Sequence, residues 1–190
     1  MQSDDAISML MTMASMQEEH NAQVHPQWKD QGYEYYRAIW VECAEMLDHF
    51  GWKWWKNQEP DIDQVKLELV DIWHFALSEL IRSEQLHESL GAELANVEPI
   101  DSTPEIFREA IESLAISSLQ SRSFKMSDFT YAMRTLPMDL KELFQEIIYF
   151  LLSIWLLIPK FLPFDLIQHH KDYYKTLDLQ NHHKILKMLQ

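Results

Sequence analysis

Across residues 36–75 the hydrophobic pattern is broken in a regular way. Over 38–47 the only polar side chains are Glu42 and Glu45, and over 67–77 they are Glu68, Asp71 and His74. Residues three apart on a helix share a face, so each run predicts a helix carrying a pair of carboxylates on an otherwise apolar cylinder. The link over 51–61 is short and contains Pro60, which favours antiparallel packing and the convergence of four carboxylates. Two carboxylates roughly 5 Å apart repel by about 3 kcal/mol at an effective dielectric near 20, and burial adds a desolvation cost for each. Such a cluster must take up protons, pair with Lys or Arg, or bind cations. Neither run holds a Lys or Arg, and an all-oxygen donor set points to a hard ion, Mg²⁺ ahead of Mn²⁺ or Ca²⁺. Carboxylate-held Mg²⁺ commonly completes its octahedron with substrate phosphates, which directs the reading toward a phosphate-processing enzyme.

The same periodicity divides the rest of the chain. A first helix is expected over 4–22, capped by Ser3 or Asp4, with Ile7, Leu10, Met11, Met13 and Ala14 turned inward; His25-Pro26-Gln27-Trp28 breaks it. The two carboxylate helices are expected over 33–50, ended by Gly51, and over 61–88. Residues 89–103 read as a loop holding Gly91 and Pro99, and Asp101-Ser102-Thr103-Pro104 starts a helix over 104–121. Met126, Phe129, Met133 and Leu136 keep an apolar rhythm through a short helix and turn over 123–139. The most apolar helix is expected over 138–158, stopped by Pro159 and Pro163, and a polar segment rich in His and Lys fills 164–190. These elements predict an all-α chain forming a single domain over 1–190.

Composition narrows the functions available. Three glycines among 190 residues exclude a glycine-rich phosphate cradle and the turn-rich texture of an all-β fold. A net charge of −14 lacks the basic footprint a nucleic-acid polymer requires, while a small metal-complexed nucleotide brings its own positive charge. Cys43 is the only cysteine, so no internal disulfide forms; it reads as a compact core residue in a reducing cytoplasm. The acidic start Met-Gln-Ser-Asp-Asp is unlike a secretory leader, and the apolar stretch over 147–159 is shorter than the roughly 20 residues a membrane span requires.

Two further groups carry candidate chemistry. Gln17 and Asn21 lie one helical turn apart, where two amides can address one ligand base edge with donor and acceptor together. Trp52-Lys53-Trp54-Trp55-Lys56 is either a hydrophobic plug between helices or a stacking platform with cations placed for phosphate oxygens. Glu84-x-x-His87 imitates half of a di-iron ligand set, but on a continuous helix Glu68 and Glu84 stand about 24 Å apart, too far to share a centre.

Taken together, Gln17-x-x-x-Asn21, the run from Tyr36 to Glu45, the block Gly51-Trp52-Lys53-Trp54-Trp55-Lys56 and the run from Glu68 to Phe75 resemble the dimeric all-α dUTPase family, relatives of the MazG-type pyrophosphohydrolases. The likeness is concentrated over 16–80. It implies a MazG-like helical bundle, a homodimer, and Mg²⁺-dependent hydrolysis of dUTP and dUDP to dUMP. It further implies Glu42, Glu45, Glu68 and Asp71 as metal ligands, with Glu45 also orienting the attacking water. Gln17, Asn21 and Trp55 would lie by the uracil, Lys53 and Lys56 near phosphate, and His74 behind the ligands or in the core. The family's C-terminal motifs, an Arg followed by Asn-Gly-Tyr and later Glu-Asp-Asn, have no counterpart in 164–190, which is an atypical segment. Two other readings stay open: a related pyrophosphohydrolase for another nucleotide, and a nucleotide-binding bundle without turnover.

Overall fold

A computed structural model describes residues 3–136, which form six α-helices and no strand among the described residues. They are α1 (Ser3–Val24), α2 (Tyr35–Phe50), α3 (Ile62–Arg82), α4 (Glu88–Ala95), α5 (Pro104–Ser121) and α6 (Met126–Arg134), with a 3₁₀ turn at Trp28–Asp30 between α1 and α2. The expectations for 138–158 and 164–190, and for one domain over the whole chain, reach outside the described residues.

α2 and α3 form the central hairpin. Gly51 closes α2 at φ +94, a region that glycine enters without steric cost. The Asp61 N–H donates to the His49 carbonyl at 2.9 Å, which ties the link shut. The Asp61 carboxylate then caps α3 by accepting the Gln64 N–H at 3.2 Å. From that corner the helices run antiparallel: His49 lies by Glu68, Glu42 by Asp71, and Tyr35 by Phe75. Both helices bury an apolar stripe, with Ile39, Cys43, Met46 and Phe50 on α2 meeting Val65, Leu69, Ile72, Trp73, Ala76 and Leu77 on α3 in one core. α5 packs on α2, α6 on α5, and α1 on α3 and α4. Phe107 meets Phe50 with ring centroids 4.6 Å apart, and Phe129 stacks on Trp73 at 5.3 Å. Cys43 is wholly enclosed, as its reading as a core residue requires.

Three expectations need correction. The third helix does not run to residue 88. Glu84 takes φ +58 and the Gln85 N–H reaches back to the Leu80 carbonyl at 2.9 Å, a left-handed stop that ends α3 at Arg82. Glu84 and His87 are therefore exposed residues outside α3, and the di-iron imitation dissolves. The segment 89–103 is not all loop, because α4 occupies its first part. Gly91 is its contact point: a Cβ there would stand 2.7 Å from Ile7 Cα, so the missing side chain is what lets α4 lie against α1. On α1, Met11 faces solvent, and Ala6, Leu10, Met13 and Ala14 form the buried apolar face. Its stripe continues into Gln17 and Asn21, which a purely hydrophobic reading of the helix leaves on the surface.

Candidate active site

The carboxylates of Glu42, Glu68 and Asp71 each offer an oxygen within 4.8 Å of the others. All three residues are buried. The antiparallel register is the cause: Glu68 and Asp71 project from one face of α3 toward the position where α2 presents Glu42. Burial is the first reason that the Glu68 carboxyl is pushed up to about 9; a hydrogen bond with Glu42 follows, then the charges of Asp71, Glu42 and Glu45. The cluster thus holds one proton well into the neutral range, or a cation in its place.

Glu45, half-buried, is near enough to act on Glu68 electrostatically but is outside the three-oxygen group. His49, missed in the sequence, joins the cluster's edge with Nε2 3.4 Å from Glu68 Oε1. It was legible in principle, since 42, 45 and 49 repeat at three and then four residues along one helical face. The donor set, hard, anionic and crowded, fits a divalent metal ion.

About 10 Å farther along α3, at 1.5 Å per residue from Asp71 to Ser78, lies a second polar group. Gln17 and Asn21 are almost entirely buried there. Gln17 Nε2 donates to Asn21 Oδ1 at 2.8 Å, Asn21 Nδ2 donates to Ser78 Oγ at 3.0 Å, and Gln17 Oε1 lies 3.1 Å from His74 Nδ1. Tyr35 adjoins Ser78, and burial pushes its phenol up to about 12. Below this group, Glu79 is buried and paired with Arg82 through contacts of 2.7 to 3.1 Å. Ser78 and Tyr35 are additions that the sequence reading lacked. Ser78 continues the step 71, 74, 78, but a lone serine gives no signal beyond that spacing.

The tryptophan block stands apart from both groups in character. Trp54 is 88% and Trp55 58% exposed, and Trp52 is about half exposed. The three rings pack edge to face on one another, with centroids 5.2 Å apart for Trp52 and Trp55 and 5.5 Å for Trp54 and Trp55. Among the described residues they fill no gap between helices. Lys53 is paired with Asp48, while Lys56 is exposed. Arg108 of α5 donates to the Gly51 carbonyl at 3.1 Å and fixes the point where the block leaves α2.

No helix among the described residues is long and apolar enough to cross a membrane. In a comparison with curated proteins, none matches the chain. A family model described as dUTPase matches residues 9–152 and takes in every candidate side chain, with all of α2 and α3 and α1 from residue 9 onward. With three-quarters of its length accounted for in this way, the chain belongs to the all-α dUTPase family of dUTP-hydrolysing enzymes.

Proposed function

We propose that the chain hydrolyses dUTP, and dUDP, to dUMP in an Mg²⁺-dependent reaction, releasing pyrophosphate from the triphosphate. The observation that supports the Mg²⁺ assignment is the buried group of Glu42, Glu68 and Asp71, whose mutual repulsion a divalent cation would relieve. Those three, with Glu45 beside them, would hold the ion. A divalent ion there would neutralise phosphoryl charge and make water a better nucleophile. Glu45 would also orient the attacking water and accept its proton. Gln17 and Asn21 would address the base, with Trp55 as a wall of the uracil pocket. Lys56, exposed in the link, and Lys53, once released from Asp48, would approach phosphate oxygens.

The reading extends to a homodimer in the cytoplasm. Trp40 and Val41 on α2 and the three tryptophans of the link are exposed apolar side chains of the kind that suits a subunit interface. Sedimentation of the purified protein decides this point; a strict monomer rejects it.

Pyrophosphate release from dUTP, dCTP, dTTP and UTP, each with Mg²⁺ and with EDTA, tests the activity. dUTP should turn over, EDTA should stop it, and Glu45→Gln should lower kcat by at least a hundredfold. Equal rates across the four bases would instead support a broader pyrophosphohydrolase. Mg²⁺-dependent binding of dUTP without turnover would leave a nucleotide-binding bundle.

A further inference from the structure

We infer that Ser78 and His74 are positioning residues that lock the amides of Gln17 and Asn21 in one orientation and thereby set the choice of uracil over cytosine. The inference rests on the assignment of those amides to the base subsite. A side-chain amide that rotates freely can exchange its oxygen and nitrogen and so serve either base. Uracil offers an N–H at ring position 3 beside carbonyl oxygens, whereas cytosine offers a bare ring nitrogen beside an amino group. An amide held with its ends fixed matches one pattern and leaves unpaired groups against the other.

The direction of the lock follows from its Ser78 end. Ser78 sits on α3 with its Oγ 3.0 Å from the His74 carbonyl one turn back, and that carbonyl can only accept, so the single hydroxyl proton is committed there. What Ser78 Oγ turns toward Asn21 is therefore a lone pair, and the Asn21 atom 3.0 Å from it must be the donor Nδ2. Asn21 Oδ1 then faces Gln17, which must answer with Nε2 at 2.8 Å. Gln17 Oε1 is left toward His74 Nδ1 at 3.1 Å, so that nitrogen must carry a proton. Tyr35 adjoins Ser78 as well. The relay starts and ends on His74, at its carbonyl and its ring, and both ends belong to the same rigid turn of α3. With the base bound, each amide would offer it a second N–H and a second lone pair in a fixed sense.

Two measurements on the full chain test this. The first needs no nucleotide: in protein labelled with ¹⁵N-histidine, the His74 resonance, assigned by its loss in His74→Gln, should show a protonated Nδ1. A bare Nδ1 overturns the relay whatever the enzyme does. The second compares kcat/KM for dUTP and dCTP in the wild type and in Ser78→Ala, which removes one oxygen and little volume. The ratio of dUTP to dCTP should fall at least tenfold in Ser78→Ala, a change that simple loss of folded protein cannot produce because it scales both substrates alike. An unchanged ratio, in a wild type that prefers dUTP, overturns the relay and leaves the proposed activity standing. A wild type without preference for dUTP overturns the specificity claim and the uracil reading together.

Discussion

Glu68 shows how one side chain couples stability to chemistry. Its carboxyl binds a proton far more tightly in the folded state, at about 9, than the ordinary value of 4.5 expected unfolded. Between those values the native state holds the extra proton, so stability of the metal-free protein should fall as pH rises from about 4.5 to about 9. Each tenfold change in proton affinity is worth about 1.4 kcal/mol. Urea titrations in EDTA across that window should show the decline, and Glu68→Gln should flatten it while abolishing dUTP hydrolysis. A metal-free wild type whose stability is level over the window would contradict the buried, crowded setting of this group.

At the scale of elements, the contact between α1 and α4 depends on a single missing methyl group. Gly91 lies where a Cβ would meet Ile7 Cα at 2.7 Å and the Ile7 N at 2.9 Å, and backbone atoms cannot move aside as a flexible side chain can. Gly91→Ala should cost about 1–3 kcal/mol in chemical denaturation, against the usual gain of Ala over Gly inside a helix. A stability equal to or above wild type would mean that the two helices can separate without loss. α1 also carries Gln17 and Asn21, so the same substitution should raise KM for dUTP more than it lowers kcat.

At the scale of the whole molecule, the α2–α3 hairpin buries three carboxylates close together. The repulsion is offset by the core beneath it, where Ile39, Cys43, Ile72 and Leu77 are fully enclosed. An ion that binds only the folded cluster must therefore stabilise the entire unit by mass action, about 2.7 kcal/mol at one hundred times its Kd. The melting temperature should rise with Mg²⁺ at pH 7.5, and the rise should disappear in a Glu42→Gln, Asp71→Asn variant. The same rise in that variant would place the ion elsewhere.

The sequence by itself determined the helical class, the α5 start at Thr103-Pro104, the end of α2 at Gly51 and the pairing of acids on two facing helices. These follow from local rules: helical period, the φ that only glycine takes freely, and proline at a first turn. The acids were legible because each interrupts an otherwise apolar run, and three of the four, Glu42, Glu68 and Asp71, are buried as that pattern requires. Gln17 and Asn21 were legible only as a spacing. Whether an amide lies in water or in a polar network depends on what another helix brings to it, and Ser78 and His74 stand 57 residues away from their partners. The end of α3 at Arg82 was hidden because Glu84 adopts a left-handed conformation that its side chain does not announce. Gly91 was read as a loop residue because close approach of two helices leaves the same mark in sequence as a turn does. Only the tertiary structure decided which of these polar residues meet, since contact between distant positions is fixed by packing and register and not by any local preference of the chain.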